Sequence, residues 1–166
     1  MISNSTSLIY LAKIGKLDLL KFFFKKIYIP EEVKKEVVDQ GKLIHQPDAN
    51  IIEEAIQEGW IVIKKAKIVS VLKETGIDRG ELEAISLAVE MKDTILLDQT
   101  HARVAAEMVG IKPRGTLYIL FLALKNRKIR YDEYLSLLEN LATVGFRMSQ
   151  EVYLEAIKMG NELHKR

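Results

Sequence analysis

The chain has 166 residues, of which 48% are hydrophobic and 29% charged, as is usual for one globular domain with a sizeable core. Its net charge of +2 is too small for the sign to identify a partner. Cysteine is absent, which excludes disulfides, thiolate metal sites and a cysteine nucleophile. The sequence has no signal peptide and no apolar run of about 20 residues, so we expect a cytoplasmic protein with no membrane contact.

The first half of the chain alternates short apolar segments with helical patterns. In chain order the expected elements are a strand at Met1–Ser3, helices over 8–14 and 17–26, a strand at Ile27–Ile29, a helix over 31–40, a loop over 41–47, a helix over 48–58 and a strand at Trp60–Ile63. A basic segment follows, and we expect it to be helical toward Thr75.

The segment 76–103 has the clearest pattern in the chain. Asp78 is followed three residues later by Glu81, which predicts a capping box at the start of a helix. Apolar residues then recur at helical spacing, and Glu81 falls on their side of the helix. The apolar run Thr94–Leu97 predicts a buried strand that ends at Asp98.

Helical patterns dominate the rest of the chain. We expect helices over 100–109 and 115–126, a short strand at Ile111–Lys112 between them, and two amphipathic helices at the end that meet at Gly145–Phe146. Short strands that alternate with helices predict an α/β fold with a central parallel sheet and helices on both faces. The extra C-terminal helices either cover an edge of the sheet or form a dimer contact.

Oxygen-bearing side chains follow the predicted strands. In a parallel sheet the first turn of a helix lies at the edge where the following strand ends, so Glu81 and Asp98 should converge at the carboxyl edge, where such folds bind ligands. Asn4 follows the first strand at the same edge, and Glu36 borders the buried face of a helix that begins there. Oxygen ligands suit Mg²⁺ or Mn²⁺, which can activate water. Alternatively, Glu81 and Asp98 only cap helices and Glu36 is a solvated carboxylate.

Motifs for other chemistries are absent. The sequence has no GxxxxGK[ST] or GxGxxG phosphate loop and no GxSxG nucleophile elbow. His45, His101 and His164 are scattered without the spacing of metal ligands. A receiver-like phosphorylation domain also gathers acids at a sheet edge, but it needs an acidic pair after the first strand, where this chain has Asn4.

The sequence contains, in this order, ISNSTSLIYLAKIGKLDLL, IYIPEEVKKEV, GIDRGELEAISLA, ILLDQTHAR and PRGTLYILFLALK. In residue identity and spacing these five segments resemble the PIN-domain family, in particular the subgroup similar to VapC-type toxin nucleases. They lie within residues 1–130, and GFRMS near Gly145 also resembles the tail of that subgroup.

The resemblance implies a three-layer α/β/α sandwich, with a PIN-like domain over residues 1–130 and a C-terminal helical extension over residues 131–166 packed on it. It also implies a metal-dependent ribonuclease. The catalytic positions would be Asn4, Glu36, Glu81 and Asp98, of which the last three would bind Mg²⁺ or Mn²⁺.

The chain departs from the family pattern at two positions. The family usually has aspartate where this chain has Asn4, and the subgroup often has a second acid where this chain has Gln99. Fewer charges should weaken metal binding and water activation. The resemblance therefore implies a ribonuclease that is weakened by Asn4, and the alternative is a PIN-like module that binds RNA or a protein partner without cleaving.

Substrate contacts are expected at the same edge of the sheet. Thr6 matches the hydroxyl residue that follows the first acid of the family, and Arg103, Lys112 and Arg114 could contact phosphates of RNA. The basic run Lys125–Arg130 is interpreted as a solvated helix C-terminus. A small antitoxin protein and a second copy of the chain are the other expected partners.

Overall fold

A computed structural model describes residues 1–165 of the chain. The chain divides into two compact units, Met1–Gly115 and Thr116–Arg166. The predicted boundary at residue 130 stays a prediction. No helix in the described part of the chain is long and apolar enough to cross a bilayer.

The first unit is built on a parallel sheet in which, among the described residues, five strands have the order β3-β2-β1-β4-β5. The strands are β1 (Ile2–Ser3), β2 (Ile27–Ile29), β3 (Ile61–Ile63), β4 (Ile95–Leu96) and β5 (Pro113–Arg114). Helices flank this sheet, so the predicted α/β/α sandwich with a central parallel sheet is confirmed.

The strand order reverses at the middle of the sheet. The chain moves outward from β1 to β2 and β3, and then returns to place β4 on the other side of β1. Ile2 accordingly pairs with Tyr28 on one side and with Ile95 on the other. Such a switch point leaves a crevice at the carboxyl ends of the two central strands, which is where open α/β sheets bind ligands.

The helices of the first unit follow the predicted order. They are α1 (Ser5–Lys13), α2 (Asp18–Phe24), α3 (Glu31–Lys34), α4 (Gly41–Leu43), α5 (Pro47–Gln57), α6 (Arg79–Met91) and α7 (Thr100–Met108). The residues of β1 and β4 are fully buried beneath them, as expected of a parallel sheet that is covered on both faces.

The region predicted as one helix and a loop, residues 31–47, contains more structure than expected. A π-helical turn at Lys35–Gln40 joins α3 to α4. An alanine at Gly41 would bring its Cβ to 2.8 Å from the Cβ of Ala49, so glycine permits the close approach of α4 to α5. Turns of π-helix are rare and often mark functional sites, and this one carries Glu36.

The helix predicted after β3 is also corrected. Only Ser70–Thr75 is helical, as a 3₁₀ helix, and the residues before it are irregular. The backbone N–H groups of Lys67 and Val69 donate to side chains of α6, at 3.2 Å to Glu90 and 3.1 Å to Ser86. These contacts with α6 take the place of bonds within a helix.

The last strand lies two residues later than predicted, at Pro113–Arg114 instead of Ile111–Lys112. Proline cannot donate a backbone hydrogen bond and is tolerated in edge strands, and β5 is an edge of this sheet. The backbone N–H of Leu97 donates to the carbonyl of Arg114 at 2.7 Å, which fixes this register. Lys112 consequently precedes the strand and lies at its amino end.

The second unit contains three helices among the described residues: α8 (Thr116–Lys125), α9 (Tyr131–Thr143) and α10 (Gln150–His164). Tyr134 of α9 is 1% exposed, and its hydroxyl donates to the carbonyl of Ala156 in α10 at 2.9 Å. Gly160 lies against the same ring, because a Cβ there would be 2.5 Å from Cε1 of Tyr134. Glycine therefore allows α9 and α10 to pack closely at this point.

The substitution Gly160→Ala tests this packing. In an exposed helix, alanine is more stable than glycine by about 1 kcal/mol, but here the added methyl group must displace the Tyr134 ring. We expect the free energy of unfolding in urea to fall by about 1–3 kcal/mol. Lys158→Ala, an exposed position on the same helix, should change it by less than about 0.5 kcal/mol. A stabilised Gly160→Ala variant would contradict the packing.

Candidate active site

Two carboxylates are held at the switch point by the first turn of α1. The hydroxyl of Ser5 donates to Oε2 of Glu36, and the hydroxyl of Ser7 donates to Oδ2 of Asp98 at 2.8 Å. Side chains two residues apart on a helix point to different sides, so the two acids flank the start of α1 from opposite directions. The candidate site therefore spans the end of β1.

Glycine makes room for each of these acids. A Cβ on Gly80, near the start of α6, would collide with Oε1 of Glu36. A Cβ on Gly115, directly after β5, would lie 2.9 Å from Oδ1 of Asp98. A larger residue at either position would move the carboxylate, so the two glycines help to define where the acids lie.

Glu81 takes part in the predicted capping box and keeps one oxygen for another partner. Its backbone N–H donates to Oδ1 of Asp78 at 2.8 Å, and its Oε2 accepts from the backbone N–H of Asp78 at 3.2 Å. The residue is 5% exposed, and its Oε1 is buried without a hydrogen-bond partner. The cap is confirmed, but it uses only one of the two carboxylate oxygens.

Asn4 also carries a buried oxygen without a partner. The residue is 4% exposed at the end of β1, where its backbone N–H donates to the carbonyl of Leu96 at 3.2 Å. It occupies the N-cap position of α1, yet its side chain makes no capping hydrogen bond, and its Oδ1 contacts no donor. The side chain is therefore not an ordinary helix cap.

The chemistry of these two oxygens suits a divalent cation. Leaving a buried acceptor unpaired costs about 1–3 kcal/mol, and native proteins seldom leave such atoms without a role. Asn4 Oδ1 and Glu81 Oε1 are two of three such side-chain atoms in the described chain; the third is Oδ1 of Asp48. Amide and carboxylate oxygens are the donors that Mg²⁺ and Mn²⁺ prefer. Residues 1–165 nevertheless contain no group of three His, Asp or Glu side chains in position to hold a metal ion.

Burial raises the pKa of both glutamates. The pKa of Glu81 is raised mainly by burial, then by the nearby charge of Asp78, and to a smaller extent by the charge of Glu36. The hydrogen bond from the Asp78 backbone and the nearby His101 oppose this rise. The pKa of Glu36 is raised first by burial and also by Asp78, against the hydrogen bond from Ser5. A bound cation would relieve this unfavourable ionisation.

Three of the four predicted substrate contacts lie on this side of the sheet. Thr6 lines a cavity of about 440 Å³ together with Glu36. The Arg103 guanidinium donates from Nη1 to the carbonyl of Leu97 at 2.8 Å, immediately before Asp98. Arg114 is opposite Leu96 in the β4–β5 register.

Lys112 does not join them. It lines a different cavity, of about 430 Å³, together with Asp93 and Thr94, which precede β4. This is the amino edge of the sheet, and the expectation that Lys112 lies at the edge with Asp98 does not hold, because β5 begins only after it.

Sequence reasoning missed four residues of this site: Ser5, Ser7, Gly80 and Gly115. The serines had a detectable signal, since polar residues precede and interrupt the apolar start of α1. The glycines had none, because nothing in the sequence shows which side chain would lie against them.

The raised pKa of Glu81 gives a test by pH. Because the folded state binds the proton more readily than the unfolded state, this residue lowers stability above its folded pKa, and the loss is recovered as the pH falls toward the ordinary value of 4.5. In EDTA we expect Glu81→Gln to be more stable than the wild type to urea at neutral pH, with a gain that shrinks by about pH 4.5. The exposed variant Glu107→Gln should change the free energy of unfolding by less than about 0.5 kcal/mol at neutral pH. A gain for Glu81→Gln that does not depend on pH would contradict the assignment.

The chain matches a protein-family model described as a PIN domain over residues 1–162. A comparison with curated proteins finds no match. The PIN domain is a nuclease-type fold that generally depends on divalent metal ions, and its presence indicates nucleic-acid binding. The resemblance to the VapC-type subgroup stays a prediction. The matched range contains the whole candidate site and nearly all of both units, and the chain therefore belongs to the PIN-domain family.

Proposed function

We propose that this protein is a Mg²⁺- or Mn²⁺-dependent ribonuclease that hydrolyses phosphodiester bonds of RNA at the crevice between β1 and β4. The observation that carries the proposal is the pair of buried oxygens without partners, Asn4 Oδ1 and Glu81 Oε1, in the part of the sheet where two further acids are held by serines. A nuclease-type fold supports the same conclusion.

The proposed roles follow from the contacts of each residue. Asn4 and Glu81 offer oxygens that lack a donor, and Glu36 and Asp98 supply negative charge from the two sides of α1. A divalent cation bound there would stabilise charge on the phosphoryl oxygens and lower the pKa of a water nucleophile. Ser5 and Ser7 keep the two outer carboxylates in place, so that little reorganisation is needed when RNA binds.

Cationic side chains near Asp98 are proposed to bind the RNA backbone. Arg103 and Arg114 both lie toward the carboxyl ends of β4 and β5, and a guanidinium can contact a phosphate through two donors. Thr6 offers a hydroxyl in the cavity that Glu36 lines. Lys112 is left out because it lies at the other edge of the sheet.

The asparagine at position 4 favours a second candidate function. An amide oxygen can bind a metal ion but adds no charge, so the proposed site has three carboxylates at most, and Gln99 adds none. The alternative is therefore a weakened PIN module that binds RNA or a protein without cleaving it. A toxin role with a small antitoxin as partner rests on the VapC-type resemblance alone. The cytoplasmic location and a homodimer formed through the C-terminal helices stay predictions from the sequence.

An RNA cleavage assay separates the two functions. With Mn²⁺ we expect the wild type to cleave single-stranded RNA, EDTA to stop cleavage, and Asp98→Asn to reduce the rate about 100-fold or more. Glu107→Gln, which removes an exposed acid of α7, should cleave like the wild type. Equal rates for Asp98→Asn and wild type would contradict the site. RNA binding with no cleavage in Mn²⁺ would favour the weakened module.

A further inference from the structure

The second unit contains a basic pocket that the proposed active site does not use. Its volume is about 760 Å³. Lys125 and Arg127 supply positive charge, Tyr131 and His164 supply aromatic surface, and Leu124 and Ile129 are among its apolar residues. This combination of cations, rings and apolar lining is chemically suited to a ligand with a charged part and a planar part.

The turn after α8 concentrates positive charge at this pocket. Residues 125–130 contain four basic side chains and no acid. The turn is closed by backbone hydrogen bonds from Arg127 to Leu124 at 3.0 Å and from Lys128 to Ala123 at 2.8 Å. Arg127 itself has φ 56°, a left-handed conformation that non-glycine residues seldom adopt. The fold thus holds an arginine in an uncommon conformation at the pocket.

Two of the lining cations remain available for an anionic ligand. Arg130 is neutralised by Asp132, which accepts from its Nε at 3.0 Å and also from its Nη2. Lys125 and Arg127 are exposed and form no ion pair with the described residues. A ligand with negative charge would pair with these two side chains without displacing an existing partner.

The aromatic side chains of the pocket are stacked on one another. The rings of Tyr131 and His164 have centroids 4.6 Å apart and an interplanar angle of 12°. The Tyr131 ring is also close to Gly160, where a Cβ would lie 3.4 Å from its Cε2. His164 is exposed, so the stack can be extended by one more planar group.

We propose that the basic pocket binds one nucleotide unit of single-stranded RNA, with phosphates at Lys125 and Arg127 and a base stacked on His164. Proteins that bind single strands commonly combine cations that follow the backbone with aromatic rings that stack on bases. The choice of RNA as the ligand rests on the proposed function. The pocket would then hold the substrate strand through contacts that are chemically separate from the acidic site.

Binding is measured by fluorescence anisotropy with a labelled single-stranded RNA of about 15 nucleotides, in EDTA so that metal-dependent hydrolysis is suppressed. Lys125→Gln/Arg127→Gln should raise the Kd roughly tenfold and lower the slope of log Kd against log salt by about 1.4, since each single-strand phosphate contact contributes about 0.7. His164→Ala should raise the Kd roughly tenfold through lost stacking.

The matched control is Arg147→Gln/Lys158→Gln. It removes two exposed positive charges from the same unit at positions that do not line the pocket. Its Kd should equal that of the wild type. If both double variants weaken binding equally, affinity follows net charge and the pocket is not the site. Equal competition by double-stranded RNA, or an unchanged Kd for His164→Ala, would overturn the stacking contact.

Two assays distinguish failure of the pocket proposal from failure of the proposed nuclease function. In EDTA, the change in Kd caused by the pocket variants reports on the pocket, and cleavage in Mn²⁺ compared with Asp98→Asn reports on the acidic site. Normal binding by Lys125→Gln/Arg127→Gln together with loss of cleavage in Asp98→Asn would reject the pocket and retain the nuclease. Weakened binding by that pocket variant, in a protein that does not cleave, would retain the pocket and reject the nuclease.

Discussion

The pairing of β1 with β4 is the contact on which the candidate site depends, because it brings two distant parts of the sequence to one crevice. The pairs Ile2–Ile95 and Ser3–Leu96 place Asn4 and Asp98 just beyond the ends of neighbouring strands. Once β1 is fixed there, α1 must start at the same point, and its first two serines reach acids on either side. Strand order therefore brings Asn4 and Asp98 to one crevice. Local structure positions the two glutamates, Glu81 in the capping box and Glu36 in the π-helical turn.

This geometry stores unfavourable electrostatics that the rest of the unit must offset. Glu36 and Glu81 have raised pKa values because burial and neighbouring acids disfavour their charges. Oε1 of Glu81 and Oδ1 of Asn4 are also buried without a hydrogen-bond donor. The arrangement is therefore easier to understand as selection for a ligand than as selection for stability.

Sequence patterns predict the architecture well because periodicity and caps are local. The alternation of strands and helices and the capping box at Asp78 are examples. Patterns fail where tertiary contacts decide: β5 follows the edge of the sheet instead of the apolar pair at Ile111, which misplaces Lys112. The contacts of Ser5 with Glu36 and of Ser7 with Asp98 join residues far apart in the sequence, so residue spacing does not predict them.

Direct titration with Mn²⁺, followed by the loss of the free-ion signal in electron paramagnetic resonance, tests the claim that the two buried oxygens form a cation site. We expect saturable binding to the wild type, weaker binding to Glu81→Gln and tighter binding to Asn4→Asp, which adds a charge with almost no change in shape. The same Mn²⁺ affinity in all three proteins, or no binding to any of them, would contradict that claim.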